Sequence, residues 1–220
     1  ERANLVTTVR HGREKLHYLN AVPIHAIADR WITRYDRRRV EALADLKQAL
    51  EAPMTGEPAF VYTTFINTTP EKLWQALTEP AFTRRYWGIS FETEWQPGSA
   101  MVWEQDGHRI VDPDQVVLEA EPHRRLAYTW HTATPEWAGL NGIDDDVQAT
   151  LAAESRSRVT FEIEPFGETV KLTVVHDRFP AGSTMRAMAS GGWPHLLSDL
   201  KTLMETGATL PPVPADAWRS

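Results

Sequence analysis

His176 is the polar residue whose type and position most suggest chemistry. It lies near the end of the apolar segment 169–178, whose residues alternate as they do in a half-buried strand. The alternation directs His176 inwards, where it could bind a ligand or be satisfied in the core by a backbone carbonyl or by Glu104. Asp177 faces the opposite side of such a strand, so the two adjacent residues cannot form an acid–base dyad. We therefore expect that the protein is not an enzyme.

Metal-binding chemistry has little support in the sequence. The chain contains no Cys, which excludes disulfide bonds, thiolate ligands and a cysteine nucleophile. His25 and Asp29 lie four residues apart on one face of a predicted helix, but two ligands do not complete a tetrahedral site. The other histidines show no ligand spacing. We expect no metal and no cofactor.

Apolar and aromatic residues form the candidate ligand-binding set. In an antiparallel sheet with one buried face, alternate residues face inwards, and a largely apolar pocket with a few polar groups suits a small hydrophobic ligand. The alternative is that these side chains only fill the core, together with Val159 and Ile163 on the same face. The predicted ligand-binding residues are Trp87, Met101, Trp103, Tyr128, Trp130, Phe161, Leu172, Val174, His176, Trp193 and Leu197.

Basic residues cluster at the tip of a predicted hairpin near the start of the chain. Segment 5–19 places β-favouring residues on both sides of Gly12. The tip could contact DNA, or it could be a solvated basic turn. Residues 1–52 carry 10 Lys and Arg against 7 Asp and Glu, whereas the rest carries 13 against 23, so only the N-terminal part has a charge bias compatible with nucleic acid. The candidate DNA-binding residues are Arg10, His11, Arg13 and Lys15.

A long amphipathic helix is predicted after the hairpin, over residues 22–51, because apolar residues recur there at helical spacing. At 1.5 Å per residue it would be about 45 Å long, more than a hairpin can cover. We expect it to pair with the same helix of a second copy, which makes the protein a homodimer. Two Pro and one Gly in residues 53–59 predict a linker between residues 1–52 and a second domain.

Residues 60–206 predict an α+β domain in which a curved antiparallel sheet wraps around a long C-terminal helix. Two short helices are expected at 68–77 and 80–85, and a long one at 183–206 with an irregularity at Gly191, Gly192 and Pro194. Residues 207–220 are expected to form a Pro-rich tail. The predicted strands cover residues 60–66, 90–94, 100–105, 115–121, 125–131, 158–164 and 169–178.

Composition limits the class of protein. The chain has 220 residues, 42% of them hydrophobic, which is enough to build a core. No segment approaches the roughly 18 consecutive apolar residues of a membrane span, and the charged residues at the start are not followed by an apolar signal region. We expect a cytoplasmic location.

Four motifs carry a family resemblance, and they are NTTPEKLWQALTEP at 67–80, YWG at 86–88, PHRRLAYTW at 122–130, and GW at 192–193 ahead of LK at 200–201. Residues 60–206 resemble the branch of the START-like (SRPBCC) superfamily that contains homologues of the activator of heat-shock-protein-90 ATPase. This resemblance implies a helix-grip fold with a cavity between the sheet and the last helix. Residues 133–157, which include Asp144, Asp145 and Asp146, depart from the family pattern and could form a flexible loop or a lid.

A second resemblance covers the N-terminal part. The segment LVTTVRHGREK at 5–15, followed by Tyr18 and Leu19, resembles the wing hairpin of ArsR-type winged-helix repressors, and the helix after it resembles their dimerisation helix. The recognition helix of that family would precede Glu1, so we expect that N-terminal sequence is missing.

Together the two resemblances imply a ligand-responsive transcriptional regulator of ArsR type, a homodimer whose START-like domain binds a small hydrophobic effector. Its winged-helix part would bind DNA when it is intact. Two alternatives stay open. One is a co-chaperone-like or ligand-carrier binding module, and the other is a START-like cyclase or hydrolase that uses His176 with Glu104 as acid and base.

Overall fold

The computed structural model describes residues 6–11, 14–19, 57–130 and 132–211. The chain divides into two units, residues 1–54 and 55–220. In the first unit, β1 (Val6–His11) pairs antiparallel with β2 (Glu14–Leu19), and Arg10 lies opposite Lys15. The predicted hairpin is therefore present. The predicted helix at 22–51, residues 53–56 of the linker and the tail beyond residue 211 lie outside the described residues.

The described part of the second unit contains eight strands and five helices. Each predicted strand is present, with ends within two residues of those expected. The short strand β6 and the helices α3 and α4 were not predicted. The helices are α1 (Pro70–Thr78), α2 (Pro80–Tyr86), α3 (Pro135–Leu140), α4 (Asp145–Ala153) and α5 (Thr184–Thr206). The strands are β3 (Phe60–Ile66), β4 (Ile89–Glu92), β5 (Val102–Gln105), β6 (His108–Ile110), β7 (Val117–Glu121), β8 (Arg125–Thr129), β9 (Arg158–Phe166) and β10 (Thr169–Asp177).

The strands form two antiparallel sheets that share one core. The larger sheet has the order β3-β10-β9-β8-β7, the smaller has the order β4-β5-β6, and a bridge between Ala100 and Val116 links the two. Along β10 the even-numbered residues from Val170 to His176 are buried, as strand alternation requires. The α+β architecture of a curved antiparallel sheet with a long C-terminal helix is confirmed.

Helix α5 closes the domain over the inner face of the sheet. Trp193, Leu197 and Leu200 are buried at helical spacing, and the Trp193 ring lies 5.8 Å from the Phe161 ring of β9. The expected irregularity at Gly191, Gly192 and Pro194 does not interrupt the helix, which is continuous from Thr184 to Thr206.

Two side chains bind the first turn of α5. They are Ser183, which directly precedes the helix, and Glu154, which directly follows α4. Ser183 is the N-cap, and its hydroxyl accepts a hydrogen bond from the Arg186 N–H at 3.0 Å. The Glu154 carboxylate accepts from the Ser183 hydroxyl and from the Thr184 N–H, both at 2.6 Å. A negative charge at this position also interacts favourably with the helix dipole. Glu154 therefore ties residues 133–157 to the start of α5.

We predict that Glu154→Gln lowers the free energy of unfolding by about 1 kcal/mol, because the substitution removes the negative charge at the helix N-terminus and weakens the cap. Urea unfolding followed by circular dichroism measures the change. Glu168→Gln on the exposed β9–β10 turn is the matched control and should change stability little. Equal effects of the two substitutions would contradict the assigned role of Glu154.

Candidate ligand-binding site

Three tryptophans from different parts of the chain meet in the second unit. Trp87 follows α2, Trp130 follows β8, and Trp193 lies in the middle of α5. Their ring centroids are 6.0 Å apart for Trp87 and Trp130, 5.7 Å for Trp87 and Trp193, and 5.5 Å for Trp130 and Trp193. Centroid spacings of this size are those of interacting aromatic pairs. The three indoles form a continuous aromatic wall.

This wall borders a cavity of about 560 Å³, a size typical of small-molecule sites. Tyr86, at the end of α2, adds a ring to the lining, and α3 contributes Trp137, with Asn141 just after it. Burial raises the pKa of the Tyr86 phenol well above its usual value, so the phenol stays neutral. The contribution of α5 is Met185, Met188, Ala189, Gly192, Trp193, His195 and Leu196.

The structure separates the predicted ligand-binding residues into two groups. Trp87, Trp130 and Trp193 line the cavity. The other eight are at most 3% exposed and belong to the packed core beside it. Strand alternation identified the inner face correctly, but at the centre of the sheet that face is filled by side chains. The eight core residues are Met101, Trp103, Tyr128, Phe161, Leu172, Val174, His176 and Leu197.

Most of the cavity lining was missed from the sequence. The lining positions Met185, Met188, Ala189, Gly192 and Leu196 follow the spacing of one helical face, which is the signal that could have revealed them. Trp137 has a different signal, because Thr134 caps a helix that begins at Pro135, and its hydroxyl accepts from the Trp137 N–H at 3.2 Å.

Residues 133–157 form two short helices rather than a flexible loop. The side chains of Asn141 and Gln105 exchange hydrogen bonds of 3.3 and 3.4 Å, which hold the end of α3 to the end of β5. Gln148 of α4 donates to the Ala133 carbonyl at 2.5 Å. Since Trp137 and Asn141 both line the cavity, the insertion forms part of its wall, and its role as a lid stays a prediction.

His176 is fully buried and lies between two side-chain partners. The Trp193 indole N–H donates to Nδ1 at 3.1 Å, and Nε2 lies 2.8 Å from the Ser157 hydroxyl oxygen. The expected partner Glu104 is not used. Because Nδ1 accepts a hydrogen bond, it holds a lone pair, and the ring proton is assigned to Nε2.

This tautomer determines what the Ser157–His176 pair can do. A serine–histidine pair that acts as nucleophile and base needs an unprotonated ring nitrogen facing the hydroxyl. It also needs a third group that accepts a hydrogen bond from the N–H of the other ring nitrogen. Here Nε2 donates to Ser157 and the third group, Trp193, is itself a donor. The pair therefore fixes the orientation of Trp193 rather than activating Ser157.

Glu104, the other half of the hypothetical acid–base pair, is engaged elsewhere. Its carboxylate accepts from the Ser90 hydroxyl and from Arg84 at 2.7 Å each, and from the Gly107 N–H at 3.0 Å. The bond from Ser90, followed by that from Arg84, lowers the pKa of Glu104 to about 2. The structure does not bring Glu104 and His176 together. Asp177 is also separated from His176, because it forms a two-bond ion pair with Arg158.

A smaller cavity of about 180 Å³ lies next to the first and shares Trp130 and Met185 with it. Its lining is more polar and includes Ser157 and Arg156. Arg156 binds Asp112 at 2.6 Å and the Trp130 carbonyl at 3.0 Å, so its charge is already compensated.

The remaining site predictions concern DNA and metal. The structure describes only the backbone of Arg10, His11 and Lys15, and DNA binding by these residues and by Arg13 stays a prediction. His25 and Asp29 lie outside the described residues. Within the described ranges, no group of three or more His, Cys, Asp or Glu could hold a metal ion. No helix among these residues is long and apolar enough to cross a membrane.

The sheet, the long C-terminal helix and the cavity beside it define a helix-grip domain of the START-like class. The sequence profile of the family described as "Activator of Hsp90 ATPase homolog 1-like protein" matches residues 67–205, and the chain belongs to this family. The START-like part of the sequence resemblance is confirmed. No comparison supports the ArsR-type resemblance of the N-terminal part.

Solved structures agree with the fold. A protein from Mesorhizobium loti is 27% identical with a TM-score of 0.51, and the match covers 66% of this chain and 96% of that one. The Aha1 dimer from Colwellia psychrerythraea is 18% identical with a TM-score of 0.51, and the match covers 69% of this chain and 98% of that one. CalU16 from Micromonospora echinospora is 19% identical with a TM-score of 0.50, covering 72% of each chain. No curated protein matches the sequence.

We predict that His176→Phe lowers the free energy of unfolding by at least about 2 kcal/mol, because it leaves the Ser157 hydroxyl and the Trp193 N–H buried without their partner. Urea unfolding measures the loss. His108→Phe on exposed β6 is the control and should stay within about 0.5 kcal/mol of the wild type. A His176→Phe variant as stable as the control would show that the buried chain of hydrogen bonds does not stabilise the domain.

Proposed function

We propose that this domain binds a small apolar or aromatic ligand and that it acts as a binding module rather than an enzyme. The observation that carries the proposal is the cavity of about 560 Å³ between α5, the end of α2 and the inserted helix α3. Its lining is mainly aromatic and aliphatic, with Asn141 and His195 as polar groups, which is the usual composition of a small-molecule site.

The hydrogen bonds of the two candidate acid–base residues support binding over catalysis. His176 is held as a donor towards Ser157, and Glu104 is bound by three donors of its own. Neither arrangement presents a base to a substrate in the cavity. A cytoplasmic location remains part of the proposal.

The biological role we propose is that of a ligand-responsive transcriptional regulator of ArsR type. The basic hairpin, in which Arg10 pairs with Lys15 next to the turn, and the ArsR-like sequence at 5–15 support it. In a homodimer assembled through residues 22–51, the ligand would change DNA affinity if it bound one dimer geometry more tightly than the other. A co-chaperone-like module is the alternative suggested by the family description.

A START-like hydrolase is a second candidate, favoured by one observation. The Ser157 hydroxyl lies 2.8 Å from His176 Nε2, which is the distance of an activated serine. The tautomer set by Trp193 opposes this role. The hydrolase would be favoured if the protein hydrolysed an aryl ester and Ser157→Ala abolished this hydrolysis without abolishing binding of the ester.

The cavity can be tested with two neighbouring glycines of α5. Gly192 lines the cavity and Gly191 does not, and a Cβ added at either position meets no atom within 4 Å. We predict that Gly192→Leu weakens ligand binding at least tenfold because its side chain occupies the cavity, whereas Gly191→Leu leaves binding unchanged. Both substitutions remove a helical glycine, so their effects on helix propensity match.

Native mass spectrometry of the purified protein identifies any retained ligand, and quenching of tryptophan fluorescence measures its affinity for both variants. Equal binding by Gly192→Leu and Gly191→Leu would place the ligand outside this cavity. The absence of any bound ligand, together with no response to a panel of aromatic compounds, would contradict the proposed function.

The regulatory role is tested separately, with the protein as its gene encodes it. We expect this protein to bind DNA of its own upstream region, with an affinity that changes at least fivefold when ligand saturates the cavity. Arg10→Ala with Lys15→Ala should weaken binding to all DNA sequences and reduce its salt dependence, as expected for phosphate contacts. DNA affinity that is absent, or identical with and without ligand, would contradict regulation and leave ligand binding intact.

Stimulation of a chaperone ATPase would then favour the co-chaperone-like alternative.

A further inference from the structure

The lining of the larger cavity is unusually rich in aromatic rings. One tyrosine and four tryptophans border it, and three of the indoles are in mutual contact. The face of an aromatic ring carries partial negative charge, and tryptophan binds cations most strongly of the aromatic side chains. Several such rings around one cavity form the kind of cage that binds quaternary ammonium groups. The five residues are Tyr86, Trp87, Trp130, Trp137 and Trp193.

Lysine and arginine side chains do not compete for this cage. The described lining contains no Lys or Arg. Arg84 and Arg85 immediately precede Tyr86, but Arg84 binds Glu104 at 2.7 Å and Arg85 donates to the Gly207 carbonyl at 2.7 Å. Arg156, which borders the smaller cavity, is paired with Asp112. His195 is the one basic side chain in the described lining.

The charge of the domain also favours a cation. Residues 53–220 carry 23 Asp and Glu against 13 Lys and Arg. The insertion that forms part of the cavity wall is itself acidic, with Glu136 in the first turn of α3 and Asp145 and Asp146 in the first turn of α4. A surface of one sign concentrates ligands of the opposite sign near its clefts. Such a field repels anions.

We infer that the ligand is an apolar organic cation, a quaternary or bulky tertiary ammonium group on an aromatic or alkyl body. This inference rests on the proposed function and adds the charge of the ligand to it. Burial of apolar surface alone gives a cation no advantage over a neutral molecule of the same shape, and desolvation opposes the cation. Preference for the cation therefore reports the aromatic cage together with the negative charge of the domain, and replacement of one ring separates the two contributions.

Two probes of almost identical shape test the inference. Trimethyl(phenyl)ammonium and tert-butylbenzene differ in having a positively charged nitrogen or a neutral carbon at the branching position. We expect the ammonium compound to bind about tenfold more tightly, as measured by tryptophan fluorescence at pH 8 and constant ionic strength. Because tert-butylbenzene is the more hydrophobic of the two, hydrophobic burial alone predicts the opposite order.

The role of the cage is tested with Trp137→Leu, which replaces one ring on the inserted helix by an aliphatic side chain. We expect the affinity for the ammonium compound to fall about tenfold and the affinity for tert-butylbenzene to fall less than threefold. Trp74→Leu is the matched control, because Trp74 lies on α1 with its ring edge-on to His123 and does not line the cavity. Circular dichroism of both variants verifies folding.

The outcomes separate the inference from the proposed function. Equal affinities for the two probes, or tighter binding of tert-butylbenzene, would overturn the cationic ligand and leave the cavity as a site for neutral molecules. Binding of neither probe would overturn the inference, and it would overturn the proposed function as well if native mass spectrometry also found no retained ligand. If Trp137→Leu weakened the binding of both probes to the same extent, the Trp137 ring would contribute apolar contact area but no preference for a positive charge. This result would also overturn the inference.

Discussion

The structure depends on a buried chain of hydrogen bonds from Ser157 through His176 to Trp193. Polar groups in a core are costly unless they are paired, so each member of this chain restricts the position of the next. The chain connects the start of β9, the end of β10 and the middle of α5, and it thereby sets the rotation of α5 about its own axis. With Trp193 fixed against the sheet, Leu197 and Leu200 turn into the core, and the adjacent stripe of the helix is left to line the cavity.

The alternation in β9 and β10 was sufficient to predict the inner face of the sheet, because a strand has a strict period of two. It could not predict which inner residues would reach open space. That depends on which side chains of α5 and the smaller sheet lie opposite them. Phe161 and Leu172 are buried by other side chains, whereas Trp130, just beyond the end of β8, lines the cavity. The partners of His176 were equally hidden, because Trp193 lies 17 residues away along the chain and no local pattern connects the two.

The insertion shows a different limit of sequence reasoning. Its departure from the family pattern was evident, but the two helices within it have only six and nine residues, too few for periodicity to reveal them. Their capping residues were the available signal, and tertiary contacts such as that between Asn141 and Gln105 complete them. Trp137 of the insertion lines the cavity together with residues of α5, so the candidate site includes residues that the family pattern does not provide.

The position of Glu154 has a consequence for the exchange of a bound ligand. This residue directly follows α4, and its carboxylate also accepts from the first amides of α5, so movement of the insertion away from α5 would break these bonds. Opening of the cavity and fraying of α5 would then be one local unfolding event with one free-energy cost. The residence time of a ligand would be governed by the strength of that helix cap, at a carboxylate that the ligand itself does not touch.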